Sequence, residues 1–295
     1  MTPVNLTGAI TALITPFRDE KVDEQALIGL IDRQIAAGTV GLVPVGTTGE
    51  ASTLSLEEHK QVVSICVKAA AGRATVIAGA GSNNTAEALE LARHGQEVEA
   101  DALLVVTGYY NKPSQEGLYQ HFAALHQVCD LPLVIYNVPG RTCSDISVET
   151  LAKLAKLERI VAVKDATGDL ARVAQQRHAC GADFIQLSGE DMTAVGFNAM
   201  GGSGCISVTG NVAPDHCAKM QTACLAGDYE TALKIQDQLT PLHAALFCDT
   251  NPGPVKYALS RLGLCTDEVR LPLVEIDDAS KRAVDAALVD LGLVG

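Results

Sequence analysis

Eight short apolar runs punctuate the chain, beginning near Ile10, Val40, Thr75, Ala102, Leu133, Ile160, Phe184 and Cys205. Successive runs start roughly 20 to 35 residues apart, which suits strands linked by right-handed helical crossovers. The segments between them carry helix signals. Ser55 with Glu58, and Asn84 with Glu87, have the spacing of a capping box, and Ala-rich amphipathic stretches follow over 64–71 and 86–98. Strands rich in Val, Ile, Leu and Ala on both faces belong to parallel sheets covered by helices. Eight such units predict a (β/α)8 TIM barrel; an open doubly wound sheet shares the periodicity and is the alternative. After the eighth run the strand signal stops. Residues 214–226 read as the last barrel helix, and 228–245, 254–262 and 278–291 as extra helices. The expected organisation is therefore a catalytic barrel over 1–226 and a C-terminal helical region over 227–295.

In such a barrel the chemistry sits where strands end. The sixth run, Ile160-Val161-Ala162-Val163, ends on Lys164. Taken alone, the lysine reads as an ordinary side chain that has reached solvent. The functional reading is a nucleophile. An unperturbed lysine, with a pKa of about 10.4, is protonated at neutral pH, and desolvation favours the neutral amine that attacks a carbonyl. The other strand ends add Thr47 and Thr48 in a glycine-flanked turn, Tyr109 and Tyr110, Tyr136, Arg141, and Ser188-Gly189-Glu190. Lysine, phenols, hydroxyls and a guanidinium suit carbonyl and carboxylate chemistry. Each has a plainer explanation as well. The glycines beside Thr47 and Thr48 alone account for a tight turn, Tyr136 fills a barrel top, and Arg141 forms a surface ion pair. Glu50 reads as a structural acceptor within its turn.

Composition narrows the partners. The 295 residues are 47% hydrophobic, and Lys plus Arg against Asp plus Glu gives 22 − 35 = −13. That balance argues against nucleic acid and anionic membranes, and no apolar run reaches the ~18 residues of a membrane span. The nine cysteines are scattered without C-x-x-C spacing, and the first twenty residues carry no basic start followed by an apolar segment. Reduced thiols and a cytoplasmic location are the expectation. The seven histidines show no ligand spacing, so no metal is expected. Gly79-Ala80-Gly81-Ser82 lacks the third glycine of a dinucleotide fingerprint and reads as a loop.

The motifs GTTGE, YYNKPSQEGLYQHF, YNVPGRT, VAVKDATGD and GCISVTGN, in this order, resemble the dihydrodipicolinate synthase and N-acetylneuraminate lyase superfamily. The resemblance runs from about Gly8 to the C-terminal helices. Pro139-Gly140-Arg141-Thr142 resembles its dihydrodipicolinate synthase branch, because the sialate lyases lack that arginine. This implies Schiff-base condensation of pyruvate with aspartate semialdehyde on Lys164, without a cofactor. By the same resemblance Tyr136, Thr47 and a neighbouring subunit's Tyr110 form a proton relay. Thr48 holds the pyruvate carboxylate, Gly189 and Ile206 line the pyruvate pocket, and Arg141 binds the semialdehyde carboxylate. The implied assembly is a homotetramer, a dimer of dimers. Positions matching the family's lysine effector site are Ala51, Ser52, Leu56, His59, Asn83, Glu87 and Tyr109. Leu56 departs from it, standing where sensitive bacterial members carry histidine. Gly108 also departs, replacing a proline, with a looser Tyr110 loop as the expected result. The rivals are another pyruvate-dependent aldolase on this scaffold and a non-catalytic metabolite-binding barrel.

Overall fold

A computed structural model describes residues 4–295. Ten strands form in chain order: β1 (Gly8–Ala12), β2 (Phe17–Arg18), β3 (Lys21–Val22), β4 (Gly41–Val43), β5 (Thr75–Gly79), β6 (Ala102–Val106), β7 (Leu133–Asn137), β8 (Ile160–Asp165), β9 (Ile185–Ser188) and β10 (Gly204–Ser207). Eight of them, β1 and β4 to β10, close into a parallel barrel in which β1 joins β10 with Gly8 opposite Gly204. The doubly wound alternative is thereby excluded. The antiparallel pair β2–β3 stands outside the barrel. Two-residue strands are too short for a period-2 pattern, and the sequence did not predict them.

Strand alternation sorts the side chains into two cores. Ile10, Val43, Ile77, Leu104, Val134, Tyr136, Ala162, Leu187 and Ile206 fill the barrel interior. Their neighbours Leu42, Val76, Leu103, Ile135 and Val163 face outward into the layer shared with the helices. Because successive side chains point to opposite faces, Lys164, two residues after Ala162, follows it inward.

The helix Leu56–Ala70 starts with the expected reciprocal box. Glu58 N–H donates to the Ser55 hydroxyl at 3.2 Å, and Ser55 N–H donates to the Glu58 carboxylate at 2.9 Å. The helix Thr85–Glu97 differs from expectation. Asn84 caps it by accepting from Ala86 N–H at 3.1 Å, but Glu87 does not return to the cap. Its carboxylate accepts from the Ser82 hydroxyl at 2.5 Å instead.

Beyond the barrel helix Pro214–Leu225 come Tyr229–Ala245, Gly253–Arg261 and Asp278–Asp290, each within a residue of its predicted span. Their Leu239, Leu242, Val255, Leu259, Val284 and Leu288 share one apolar core with Ile14, Cys205, Val212 and Met220 of the barrel. Among the described residues no helix is long and apolar enough to cross a membrane.

Candidate active site

Lys164 and Tyr136 are register partners on adjacent strands, β8 and β7. Both are buried, and the Lys164 Nζ lies 4.1 Å from the centroid of the Tyr136 ring. Gly189, just past β9, makes room for the lysine stem. A Cβ there would stand 3.0 Å from Lys164 Cε and 2.7 Å from the Ala166 Cβ. Ile206 of β10 is buried in the same interior cluster as Tyr136.

The strand end beneath the lysine is fixed by residues the sequence reading passed over. Asp165, the next residue, is buried. Its carboxylate accepts from Thr167 N–H (2.9 Å), the Thr167 hydroxyl (2.6 Å), Arg172 Nε (3.1 Å) and Gln176 Nε2 (2.7 Å). Arg172 also donates to the Ile146 carbonyl at 2.9 Å and reaches Asp145 at 3.4 Å, while Asn137, at the end of β7, donates to Asp145 at 2.8 Å. One network therefore holds the ends of the strands that carry Tyr136 and Lys164. The only local signal was the Asp165-Arg172 spacing across a loop, which marks no partner by itself.

Thr47 and Thr48 follow β4 in a turn closed by Gly49 N–H to the Gly46 carbonyl and Glu50 N–H to the Thr47 carbonyl, both 3.1 Å. Thr47 is exposed and Thr48 is buried. Glu50 is an acceptor, as expected, but its carboxylate does not serve the turn. It pairs with Lys256 and accepts from the backbone N–H of Arg270 at 3.2 Å.

A cavity of about 350 Å³ opens over these strand ends. Thr47, Tyr136, Val138, Arg141 and Thr142 line it, together with Ala51, Ser52, Leu56, His59, Glu87 and Tyr109. Six of the seven expected effector positions thus share one cavity with Thr47, Tyr136 and Arg141, whereas Lys164, Thr48, Gly189 and Ile206 do not line it. Asn83 does not line it; its side chain donates to the Tyr109 carbonyl at 3.2 Å, and its own carbonyl accepts from Asn111 at 2.9 Å. Arg141 stands in the short helix Pro139–Thr142, which the sequence reading did not foresee. It is exposed, and among the described residues it pairs with no carboxylate. The expected surface ion pair does not form among the described residues, and Arg141 lines the cavity instead.

Tyr110 is 90% exposed at a φ of +69°, and it lines no part of its own chain's cavity. In the same loop Gly108 packs against Pro113, where an added Cβ would come within 2.9 Å of the ring. Among the described residues no cluster of three or more His, Cys, Asp or Glu side chains is placed to hold a metal.

An interior lysine stacked on a tyrosine at the end of a (β/α)8 barrel strand, the tyrosine lining a cavity with hydroxyls and a guanidinium, marks a lyase-type barrel enzyme. The chain belongs to the dihydrodipicolinate synthetase family, whose model matches residues 5–291. It is 60% identical over 287 residues to the 4-hydroxy-tetrahydrodipicolinate synthase of Ruegeria pomeroyi, covering 97% of this chain and 99% of that one. The dihydrodipicolinate synthase of Aquifex aeolicus superposes with a TM-score of 0.96 at 45% identity, over 98% of this chain and 99% of the other. The Acinetobacter baumannii dihydrodipicolinate synthase, solved complexed with pyruvate, has a TM-score of 0.96 at 43% identity, over 98% and 100% of the two chains.

Proposed function

We propose that this chain condenses pyruvate with L-aspartate 4-semialdehyde to give 4-hydroxy-tetrahydrodipicolinate, a step toward diaminopimelate and lysine. The observation that carries the reading is Lys164, buried on the barrel interior against Tyr136. The family and the 60% identity to a named synthase support it.

The Lys164 amine attacks the ketone carbon of pyruvate and the carbinolamine loses water to give an imine. Loss of a methyl proton converts the imine to an enamine, whose carbon attacks the aldehyde. The amine of the second substrate then displaces Lys164, closing the ring and freeing the enzyme. Tyr136 passes protons as the carbinolamine forms and collapses, in a relay with Thr47 and the partner subunit's Tyr110. Thr48 and the turn's N–H groups hold the pyruvate carboxylate, which a −13 chain must attract by local donors rather than by its overall field. Gly189 and Ile206 line that pocket. Arg141 forks onto the carboxylate of the semialdehyde. The reaction uses no cofactor, and the working species is a cytoplasmic homotetramer. Lysine, the distant product, binds the part of the cavity lined by Leu56, His59, Glu87 and Tyr109.

Borohydride added with pyruvate tests this. The expected result is loss of activity with a reduced three-carbon adduct on the peptide containing Lys164. An adduct elsewhere, or none, overturns the mechanism. If pyruvate is trapped on Lys164 but a coupled assay with aspartate semialdehyde shows no turnover, the chain is a pyruvate aldolase for another aldehyde.

A further inference from the structure

The turn that carries Thr47 and Thr48 is gripped from outside the barrel. The buried Thr48 hydroxyl accepts a hydrogen bond from Nδ2 of Asn251 at 3.1 Å, reaching across from the start of the C-terminal helix Gly253–Arg261. Two residues on, Glu50 adopts a φ of +53° and sends its carboxylate to Lys256 of the same helix. Both charged side chains are fully buried. Lys256 also donates to the Glu268 carbonyl at 2.8 Å. Phe17 lies between two cations, with Lys256 Nζ 4.0 Å and Arg270 Cζ 4.1 Å from its ring centroid. Arg270 is itself held by a two-pronged contact to Glu58, both bonds 2.7 Å. None of these groups lines the cavity, Thr48 included, but Thr47, its neighbour in the turn, does. A wholly buried ion pair adds little net stability over a well-packed apolar pair. What it supplies here is a fixed distance between the turn and the C-terminal helix.

The Thr48 hydroxyl carries a single proton. With Asn251 donating to its oxygen, that proton remains to be donated to something else, and a carboxylate is an acceptor of the right kind. We propose that Asn251 is a positioning residue for the reaction: it orients the Thr48 hydroxyl as a donor to the pyruvate carboxylate, while the Glu50–Lys256 pair anchors the turn. The inference rests on the functional reading above, through the role given there to Thr48. It assigns to the C-terminal region an indirect part in binding the first substrate, through Thr48.

A double-mutant cycle of Thr48→Val and Asn251→Ala tests it, read as the pyruvate concentration that half-saturates borohydride trapping and as the KM for each substrate. If Asn251 acts through Thr48, each single variant raises half-saturating pyruvate by about tenfold, the worth of one hydrogen bond. The double variant is then no worse than either single one, and the semialdehyde KM stays within about twofold, because only one carboxylate is affected. Independent losses that multiply to roughly a hundredfold overturn the proposal. So does an Asn251→Ala protein with unchanged pyruvate dependence while the wild type traps normally. A wild type that traps no pyruvate sinks the functional reading itself, and this inference with it. Should Asn251→Ala fail to melt cooperatively, Asn251→Ser replaces it. Serine keeps a buried polar group but is too short to reach Thr48, so the same shift is expected and its absence overturns the proposal.

Discussion

Two lysines in this chain are buried for different reasons, and only one could be read from the sequence. Lys164 ends a run of four apolar residues, and its strand-end position together with the residues at the other strand ends turned the reading from a solvent-reaching side chain to a buried nucleophile. Lys256 sits in a helix among Pro254, Val255 and Tyr257, with nothing nearby to mark Glu50 as its partner. Pairings between remote segments are set by the packed fold, which one-dimensional patterning does not encode. Lys256→Met leaves the Glu50 carboxylate buried and alone, and we expect it to destabilise the fold by about 3–5 kcal/mol in denaturant titrations. Adding Glu50→Gln is expected to recover most of that loss, since a neutral pair of similar size carries no uncompensated charge. A double variant as weak as the single one would show that the site depends on shape rather than charge. His59 supplies a pH test. Burial lowers its pKa from 6.5 to about 4, and His94 and Lys60 push the same way. The unfolded chain therefore binds more protons between these values. Stability is complete above pH 6.5 and falls as the pH drops toward 4, by about 2.5 kcal/mol at pH 4.5 from this group. His59→Gln is expected to lose about that much less stability between pH 7 and pH 4.5. An unchanged slope would place the acid sensitivity on other groups, of which buried His243 and half-buried His121, also held below the ordinary histidine range by burial, are the first to test.

Among the elements, the barrel strands and most of the helices were legible because each repeats a period several times over. The short pieces were not. Both β2–β3 and the helix Pro139–Thr142 span only about one period, too little for a pattern to repeat, yet the latter presents Arg141 to the cavity. Spacing also misled at one helix start. Asn84 and Glu87 have the same separation as Ser55 and Glu58, but Ser82 intercepts Glu87 before it can turn back to the cap. A capping box needs the N3 carboxylate to have no better donor nearby, and a hydroxyl five residues earlier is one. The consequence reaches the effector positions. Glu87 lines the cavity with its carboxylate available as a counter-charge, whereas Leu56, the first residue of its helix, brings no polar atom to the wall. A missing hydrogen bond to a charged ligand costs about 1.5–3 kcal/mol, or roughly a ten- to hundredfold loss of affinity. Lysine is thus expected to inhibit this chain weakly, and Leu56→His to lower the inhibitory concentration by about that factor in initial-rate assays. Strong inhibition of the unmodified protein at micromolar lysine would remove Leu56 as the cause of any difference.

On the scale of the whole molecule, one residue of the proposed relay stands apart from the cavity of its own chain. The cavity brings together Thr47 from the end of β4 with Tyr136 and Arg141 from the end of β7, but Tyr110 does not line it and is 90% exposed. An exposed phenol on a loop that includes two non-glycine residues at positive φ, Tyr110 and Lys112, is held in a form local preference disfavours. The loop is tied in place through Asn83 and Asn111. In a two-fold dimer the same surface serves both subunits, so the proposed relay requires Tyr110 of each subunit to reach the other's site. Assembly of this kind has no signature in a single chain's hydrophobic pattern, which is why the sequence supplied it only through family resemblance. Complementation checks it directly. Tyr110→Phe and Lys164→Ala proteins, each crippled for a different reason, are refolded together. In a mixed dimer the site on the Tyr110→Phe chain keeps its own lysine and receives the native tyrosine of the other subunit, while the second site lacks both. Random mixing at equal amounts makes half the dimers mixed with one complete site in two, so about a quarter of wild-type activity is expected above the sum of the separate variants. If mass spectrometry shows mixed dimers and no such gain appears, Tyr110 does not act across the subunit boundary.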